Sequence, residues 1–242
     1  RALELVRGFV ESGRGRYVLG NHEIHLLLVA FGLRDLARAD SIGDVLGAPD
    51  ASEWVDWLRS RPLVETGELA GQPFAMVHAA SHPDWSLARL GEVGAALHGR
   101  LAGDREEARA FLARPADADP LRDALGRLTR CRSVGSGDAW SSADPVAPTR
   151  PWHAAWAERH HPFGLVYGHW ARQGLHAAPG LRGLDTGCVH HGRGHDGLLT
   201  AWIPDETPAS AGRRPFDVPD ERFWHIPALR RYYFPEVGAG ED

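Results

Sequence analysis

The stretch RYVLGNHEIHLLL, residues 16–28, is the strongest indication in this sequence of the fold that the chain adopts. Its first four residues have the apolar character of a short buried strand, and the segment from Ile24 onward has the apolar spacing of a helix. Asn21, His22 and Glu23 therefore lie at a turn from a strand into a helix. Because such turns carry ligand-binding side chains in α/β folds, we expect the chemistry of the protein here.

Outward from this turn, further apolar segments alternate irregularly between helix and strand spacing. Helices are predicted at residues 2–12, 50–58 and 117–128, with two more in 87–112. Strands are predicted at residues 62–69, 74–78, 164–167, 181–185 and 198–203, and residues 134–151 are predicted to form a loop. Because several strands follow one another late in the chain, the order favours a mixed α/β (α+β) sandwich over a regular doubly wound sheet.

The composition excludes several classes of function. The 242 residues carry 27 basic side chains, all of them arginine, against 32 acidic ones, a formal charge of −5. This balance argues against nonspecific nucleic-acid binding, which depends on neutralising phosphates. The chain contains no run of about 20 apolar residues, so we expect no membrane span. Two cysteines are too few for a disulfide framework and indicate a cytoplasmic protein.

Three polar side chains share one position relative to predicted strands. Asn21 follows RYVL, His78 ends FAMVH, and His169 follows GLVY. Two neutral imidazoles and an amide oxygen form a plausible partial shell for a divalent transition metal. Taken singly, each histidine has an alternative interpretation as a hydrogen-bonded structural residue. His22, beside Asn21, is placed to donate a proton to a leaving oxygen.

Five sequence segments carry a resemblance to a known family. They are YVLGNHEIHLL at 17–27, VHAA at 77–80 with Pro83 and Trp85 after it, LTRCR at 128–132, YGHW at 167–170 and LDTGC at 184–188. In this order they resemble the symmetrical bis(5′-nucleosyl)-tetraphosphatases, the diadenosine tetraphosphate hydrolases. These enzymes belong to the phosphoprotein-phosphatase branch of the calcineurin-like metallophosphoesterases. The resemblance covers about residues 1–205.

The resemblance implies a fold, an activity and cofactors. The expected fold is a β-sandwich flanked by helices, with residues 1–205 as the metallophosphoesterase domain and residues 206–242 as a C-terminal tail packed on it. The expected reaction is metal-dependent hydrolysis of dinucleoside tetraphosphates, in which diadenosine tetraphosphate and water give two ADP. Water is activated in that family between two divalent metal ions, here expected to be Mn²⁺ or Co²⁺.

The resemblance also assigns roles to individual residues. Asn21, His78 and His169 would hold one of the two metal ions, and His22 would be the general acid that protonates the leaving phosphate oxygen. Arg130 and Arg132 would bind substrate phosphate, since a guanidinium recognises phosphate through paired hydrogen bonds. The alternative for these arginines is a solvated ion pair.

The chain departs from the family pattern at three places, one of which is Ala80 in place of the glycine of HAG. The earlier family motifs GDxHG and GD…RGP, which supply the ligands of the first metal, have no counterpart in the sequence. We therefore expect an N-terminally truncated chain that lacks the first βαβ unit and supplies ligands for one metal only. After LDTGC, residues 189–197 bring in His190, His191 and His195, which we interpret as a variable surface insertion rather than an extra metal or substrate contact.

Two other functions stay open at this point. One is a protein serine/threonine phosphatase of the same branch, which would share the GNHE and GHW motifs. The other is a non-catalytic pseudophosphatase, in which the first-metal ligands are lost. The LHLL, LTRCR and LDTGC segments favour the nucleotide hydrolase, while the oligomeric state stays open.

Overall fold

The computed structural model describes residues 2–37, 40–192, 196–204, 214–217 and 222–231. The helices are Ala2–Glu11 (α1), Asn21–Ala30 (α2), Gly43–Leu46 (α3), Ala51–Arg59 (α4), Leu87–Ala102 (α5), Arg105–Ala113 (α6), Pro120–Arg130 (α7) and Trp152–Ala157 (α8). The strands are Val64–Leu69 (β1), Gln72–Val77 (β2), Ser133–Val134 (β3), Trp140–Ser141 (β4), Arg150–Pro151 (β5), Gly164–Tyr167 (β6), His176–Ala178 (β7), Leu181–Gly183 (β8), Leu198–Trp202 (β9) and Phe223–Pro227 (β10). This mixture of helices and a mixed sheet confirms the predicted α/β class.

A five-stranded mixed sheet positions the candidate site. Its strand order is β1-β2-β6-β8-β7, in which β2, β6 and β8 run parallel while the two edge strands run antiparallel to their neighbours. His78 directly follows β2 and His169 lies two residues beyond β6. Because adjacent parallel strands end at the same edge of a sheet, the topology brings these two histidines together.

Local sequence signals explain where the helices that cover the sheet begin. Ser86 caps α5 by accepting a hydrogen bond from the Arg89 N–H, and Asp104 caps α6 in the same way. Asp119 caps α7, whose first residue is Pro120, the helical position at which proline's missing N–H costs nothing. Among the described residues, no helix is both long and apolar enough to cross a membrane.

The segment around Phe216 packs against the main sheet. The Phe216 side chain is buried beside Gly164 of β6, and its backbone N–H donates to Gln72 Oε1 at 3.2 Å. The buried Arg182 guanidinium donates to the Pro215 carbonyl at 3.1 Å. Of the proposed tail 206–242, residues 206–213, 218–221 and 232–242 lie outside the described residues. The domain boundary at residue 205 stays a prediction.

Two local predictions are wrong. Residues 16–19 are not a strand: in the part of the chain that the structure describes they join no ladder, and the Leu19 N–H donates to the Pro62 carbonyl at 2.9 Å. Residues 134–151 are more than a loop, since β4 and β5 pair with β3 on either side of it. In both cases strand formation depends on a neighbouring strand, which local composition does not report.

Candidate metal centre

Asn21, His78 and His169 converge on one point. The Asn21 Oδ1 atom lies 2.8 Å from His78 Nε2 and 3.2 Å from His169 Nδ1, and the two imidazole centroids are 5.2 Å apart. The backbone also joins the two strand ends, because the Gly168 N–H donates to the His78 carbonyl at 2.8 Å. The three side chains that the sequence nominated as metal ligands therefore form one cluster.

The backbone of His169 adopts a left-handed conformation, with φ at +69°. This region is uncommon for residues other than glycine, and such strained residues concentrate at functional sites. The ring is held from its far side, because His169 Nε2 lies 3.2 Å from the carbonyl oxygen of Arg130, the last residue of α7. The strained backbone and the α7 carbonyl together orient the imidazole toward Asn21.

Gly20 lets the start of α2 approach His78. A Cβ atom at position 20 would lie 2.5 Å from His78 Nδ1, closer than real side-chain contacts allow. The Gly20 N–H donates to Glu23 Oε2 at 2.7 Å, so the Glu23 side chain closes the first turn of the helix. The glycine and the glutamate of GNHE thus have structural roles in placing Asn21.

We expect Gly20→Ala to destabilise the protein by about 1–3 kcal/mol, the usual cost of overpacking, and to displace His78. The matched control is Gly91→Ala on α5, where an added methyl group meets open space among the described residues. Because alanine is the better helix former, that control should be neutral or slightly stabilising. Urea denaturation of both variants checks the pair, and equal stabilities would contradict the close approach.

The environment keeps both imidazoles neutral. Burial, followed by the nearby His22, lowers the pKa of His78 to about 4. Burial, followed by the charges of His78 and Arg132, lowers the pKa of His169 to about 3, although the Arg130 carbonyl opposes the shift. A neutral imidazole keeps the lone pair that a metal ion binds.

These shifts predict how the metal-free protein responds to pH. Because the folded-state pKa values lie below the ordinary value near 6.5, the unfolded state binds more protons between about pH 6.5 and the folded-state values, about 4 for His78 and about 3 for His169. Stability is therefore fully present above about pH 7 and falls as the pH drops through that window. In ¹⁵N NMR titrations, assigned with His78→Gln and His169→Gln variants, neither imidazole should titrate with a midpoint above pH 5. A midpoint near 6.5 for either ring would contradict the burial argument.

The donor atoms fit a divalent metal ion. A neutral His169 has one N–H but lies between two oxygens, Asn21 Oδ1 and the Arg130 carbonyl. When the Nε2–H donates to the Arg130 carbonyl, the Nδ1 lone pair faces the lone pairs of Asn21 Oδ1, an arrangement that a shared cation stabilises. A histidine that donates its other N–H to a backbone carbonyl is the usual metal-ligand arrangement. Ligand atoms separated by about 3 Å are also expected around an ion with bonds of about 2.1 Å.

The donor set depends on the asparagine. Within the described ranges, no three His, Cys, Asp or Glu side chains lie together as a metal-binding group. The cluster therefore requires the Asn21 amide oxygen as its third donor, and Asn21 is the only asparagine in the chain. This composition supports one partial metal shell, in agreement with the ligand set proposed from the sequence.

A cleft of about 290 Å³ opens beside the cluster, on the side of α2. Its walls include Asn21, His22, His25, Ile24, Leu28, Arg34, Asp40 and Arg130. The His22 side chain is exposed in this cleft, next to the Asn21 ligand. The position agrees with the general-acid role proposed for His22, which needs access to substrate.

The two arginines nominated for phosphate binding lie in different settings. Arg130 is exposed and lines the cleft. Arg132 is half-buried, donates to the Ser142 carbonyl at 3.1 Å and lies 3.8 Å from the Asp144 carboxylate. The structure therefore places Arg130 beside Asn21 and His22, whereas the Arg132 guanidinium interacts with the 142–144 segment.

Three residues of the cleft were not found from the sequence. His25 Nε2 lies 2.8 Å from Asp40 Oδ2, and the same carboxylate oxygen accepts the Ala37 N–H at 2.7 Å. Arg34 is exposed and lines the same cleft as this pair. The basic residue three positions after His22 was the available signal for His25, since residues so spaced share a helix face.

The histidine-rich loop is only partly described. His191 Nδ1 accepts the Gly197 N–H at 3.2 Å, so this ring contributes to the loop's own structure. His195, the third histidine of that prediction, lies outside the described residues. The interpretation of residues 189–197 as a surface insertion stays a prediction.

Comparisons with known proteins reveal extensive similarity. No protein-family model matches the chain. The symmetrical bis(5′-nucleosyl)-tetraphosphatase of Ralstonia nicotianae is 37% identical over 227 residues, covering 88% of this chain and 76% of that protein. The protein of the same name from Paracidovorax citrulli is 36% identical over 209 residues, covering 79% and 75%. The one from Janthinobacterium sp. is 34% identical over 198 residues, covering 74% and 70%.

Proposed function

The chain belongs to the family of symmetrical bis(5′-nucleosyl)-tetraphosphatases, hydrolases of phosphoric anhydride bonds, and on this premise we propose that it hydrolyses dinucleoside tetraphosphates at the Asn21 cluster. The substrate in this proposal is diadenosine tetraphosphate, and the products are two ADP. The proposed ligands of a divalent metal ion are Asn21, His78 and His169, and the proposed general acid is His22.

The observation that carries the proposal is the convergence of two desolvated imidazoles on the Asn21 amide oxygen. This cluster adjoins a cleft with an exposed histidine and two exposed arginines, His22, Arg34 and Arg130. A polyphosphate needs cationic groups around its oxygens and a proton donor at the leaving oxygen. The cleft beside the cluster offers both kinds of group.

Different residues of the chain have different roles in the proposed reaction. When bound, a divalent metal ion supplies Lewis-acid polarisation of a phosphoryl oxygen and lowers the pKa of a coordinated water. His78 and His169 hold their lone pairs free for that ion because burial keeps them neutral. Arg130, which lines the cleft, binds a phosphate oxygen, and Glu23 fixes the helix start that carries Asn21 and His22.

The bond changes of the proposed reaction follow from hydrolysis of the central anhydride. The oxygen of one water forms a bond to one of the two inner phosphorus atoms. The anhydride bond from that phosphorus to the bridging oxygen breaks, and its electron pair stays on the bridging oxygen. His22 donates a proton to that bridging oxygen. The attacking water releases one proton, which replaces the proton lost from His22, so that one water is consumed for the two ADP formed.

The test is product analysis with protein expressed from its complete reading frame and supplied with Mn²⁺ or Co²⁺. Chromatography should find ADP as the sole product of diadenosine tetraphosphate. Formation of ATP and AMP would overturn the symmetrical assignment. Faster release of phosphate from phosphoserine or phosphothreonine peptides would favour a protein phosphatase, and metal-loaded protein without turnover on either substrate would favour a pseudophosphatase.

A further inference from the structure

Two arginines in the cleft have guanidinium groups that contact no partner among the described residues. Arg34 follows α2 and Arg130 ends α7, and both side chains are exposed to the cleft that contains Asn21 and His22. Among the described residues, neither guanidinium has a hydrogen-bond, ion-pair or aromatic partner. Two cationic groups that face one cleft without a partner leave their donors available to an anionic ligand.

A guanidinium group without a partner is rare among the described arginines of this chain. Of the arginines in the described ranges, only Arg34, Arg100 and Arg130 have a guanidinium group without a hydrogen bond, an ion pair or a ring contact. Arg100 lies on α5, outside this cleft. The remaining described arginines are engaged, for example Arg7 with Glu11 at 2.6 Å and Arg109 with the Phe31 carbonyl at 3.0 Å. Two of the three unengaged arginines therefore share the cleft beside the candidate metal cluster.

The acidic group in the cleft forms no ion pair with these arginines. Asp40 is the carboxylate among the cleft-lining residues, and its Oδ2 atom already accepts from His25 Nε2 and from the Ala37 N–H. Two guanidinium groups against one carboxylate leave the described lining of the cleft with a net positive charge. Such a wall attracts anions and lowers the cost of bringing adjacent phosphates together.

The position of His22 identifies which part of the substrate enters this cleft. A general acid has to lie within hydrogen-bond reach of the leaving oxygen, and His22 lines the cleft with Arg34 and Arg130. The leaving half of the substrate therefore extends into the cleft. When the central anhydride is cleaved, that half is a nucleoside diphosphate, whose two phosphates match two guanidinium groups.

We propose that Arg34 is a substrate-binding residue that, together with Arg130, holds the diphosphate of the leaving nucleoside diphosphate. This inference rests on the proposed function, because it assigns one half of that substrate to the α2 side of the site. Arg34 contributes binding without taking part in proton transfer. The product ADP is accordingly a ligand of the same cleft.

The experiment compares Arg34→Ala and Arg34→Lys with the control Arg100→Ala, which removes an equally unengaged arginine from α5. For Arg34→Ala we expect the KM for diadenosine tetraphosphate and the Kd for ADP to rise by about tenfold to a hundredfold, as for loss of charge-assisted hydrogen bonds. The kcat should change by less than about threefold, since a contact made equally in the bound substrate and in the transition state affects KM and leaves kcat unchanged. The Arg34→Lys variant should recover part of the affinity, because lysine keeps the charge without the paired donors.

Calorimetric titration with ADP separates this inference from the proposed function, because it needs no turnover. An ADP affinity that falls in Arg34→Ala and not in Arg100→Ala supports the assignment of the cleft. Equal ADP affinities in wild type and Arg34→Ala would overturn it, even when the wild type forms ADP from diadenosine tetraphosphate. A wild type that binds ADP through Arg34 but hydrolyses no dinucleoside tetraphosphate would instead refute the proposed function alone.

Discussion

Replacing Asn21 with Ala is expected to remove the divalent ion from the protein and to lower kcat/KM for diadenosine tetraphosphate by more than about a thousandfold, since metal ions supply several kcal/mol of transition-state stabilisation. The expectation follows from the geometry, because Asn21 Oδ1 is the atom that both imidazoles face, at 2.8 and 3.2 Å. Without it two neutral nitrogens remain, which are too few donors for a stable site. Metal analysis after dialysis and steady-state kinetics measure the two losses.

Two companion variants make the Asn21 result specific. Asn21→Asp keeps an oxygen donor in the same place and adds a negative charge, so it should retain the metal ion. Gln173→Ala removes another amide, one that accepts a hydrogen bond from the Tyr167 hydroxyl at 3.3 Å, and should leave the metal content unchanged. Stoichiometric metal in Asn21→Ala would show that the ion is held elsewhere.

The second large effect is expected at His22. His22→Ala should lower kcat by about 10²- to 10⁴-fold, the usual contribution of a general acid, while the metal content stays at the wild-type level. The reason is position: His22 is exposed in the cleft beside Asn21 and is not one of the three converging donors. Kinetics and metal analysis on the same preparation distinguish proton transfer from ligation.

The control for His22 is His225→Ala, which removes an exposed histidine from β10 whose Nδ1 atom lies 2.9 Å from Thr200 Oγ1. This control should retain wild-type kcat. Loss of the metal ion from His22→Ala would reassign His22 as a ligand. An unchanged kcat in His22→Ala would mean that the leaving oxygen obtains its proton from another group.

The sequence brought Asn21, His78 and His169 together because two of them follow strands with strong apolar patterns. His78 and His169 come just after β2 and β6, and these strands are parallel neighbours in the sheet. Once adjacent strands are recognised as parallel, convergence of the residues at their ends follows from topology. Asn21 was found through GNHE, although the segment before it is not a strand.

The cleft was harder to anticipate because it depends on tertiary contacts. Arg34 lies in an irregular segment after α2, where neither helix nor strand spacing assigns it a direction. That it lines one cleft with Arg130, at the end of α7, follows only from the folded chain. The same reasoning applies to Arg132, whose partners at residues 142 and 144 lie on a segment that the sequence predicted as a loop.

We propose that Asn21, His78 and His169 together bind the metal ion of a dinucleoside tetraphosphate hydrolase. Anomalous scattering from crystals of the protein grown with Mn²⁺ tests it most directly. We predict an anomalous peak within bonding distance, about 2.0–2.3 Å, of Asn21 Oδ1 and of one nitrogen from each imidazole. Metal-loaded crystals with the manganese peak away from these three atoms would contradict the claim.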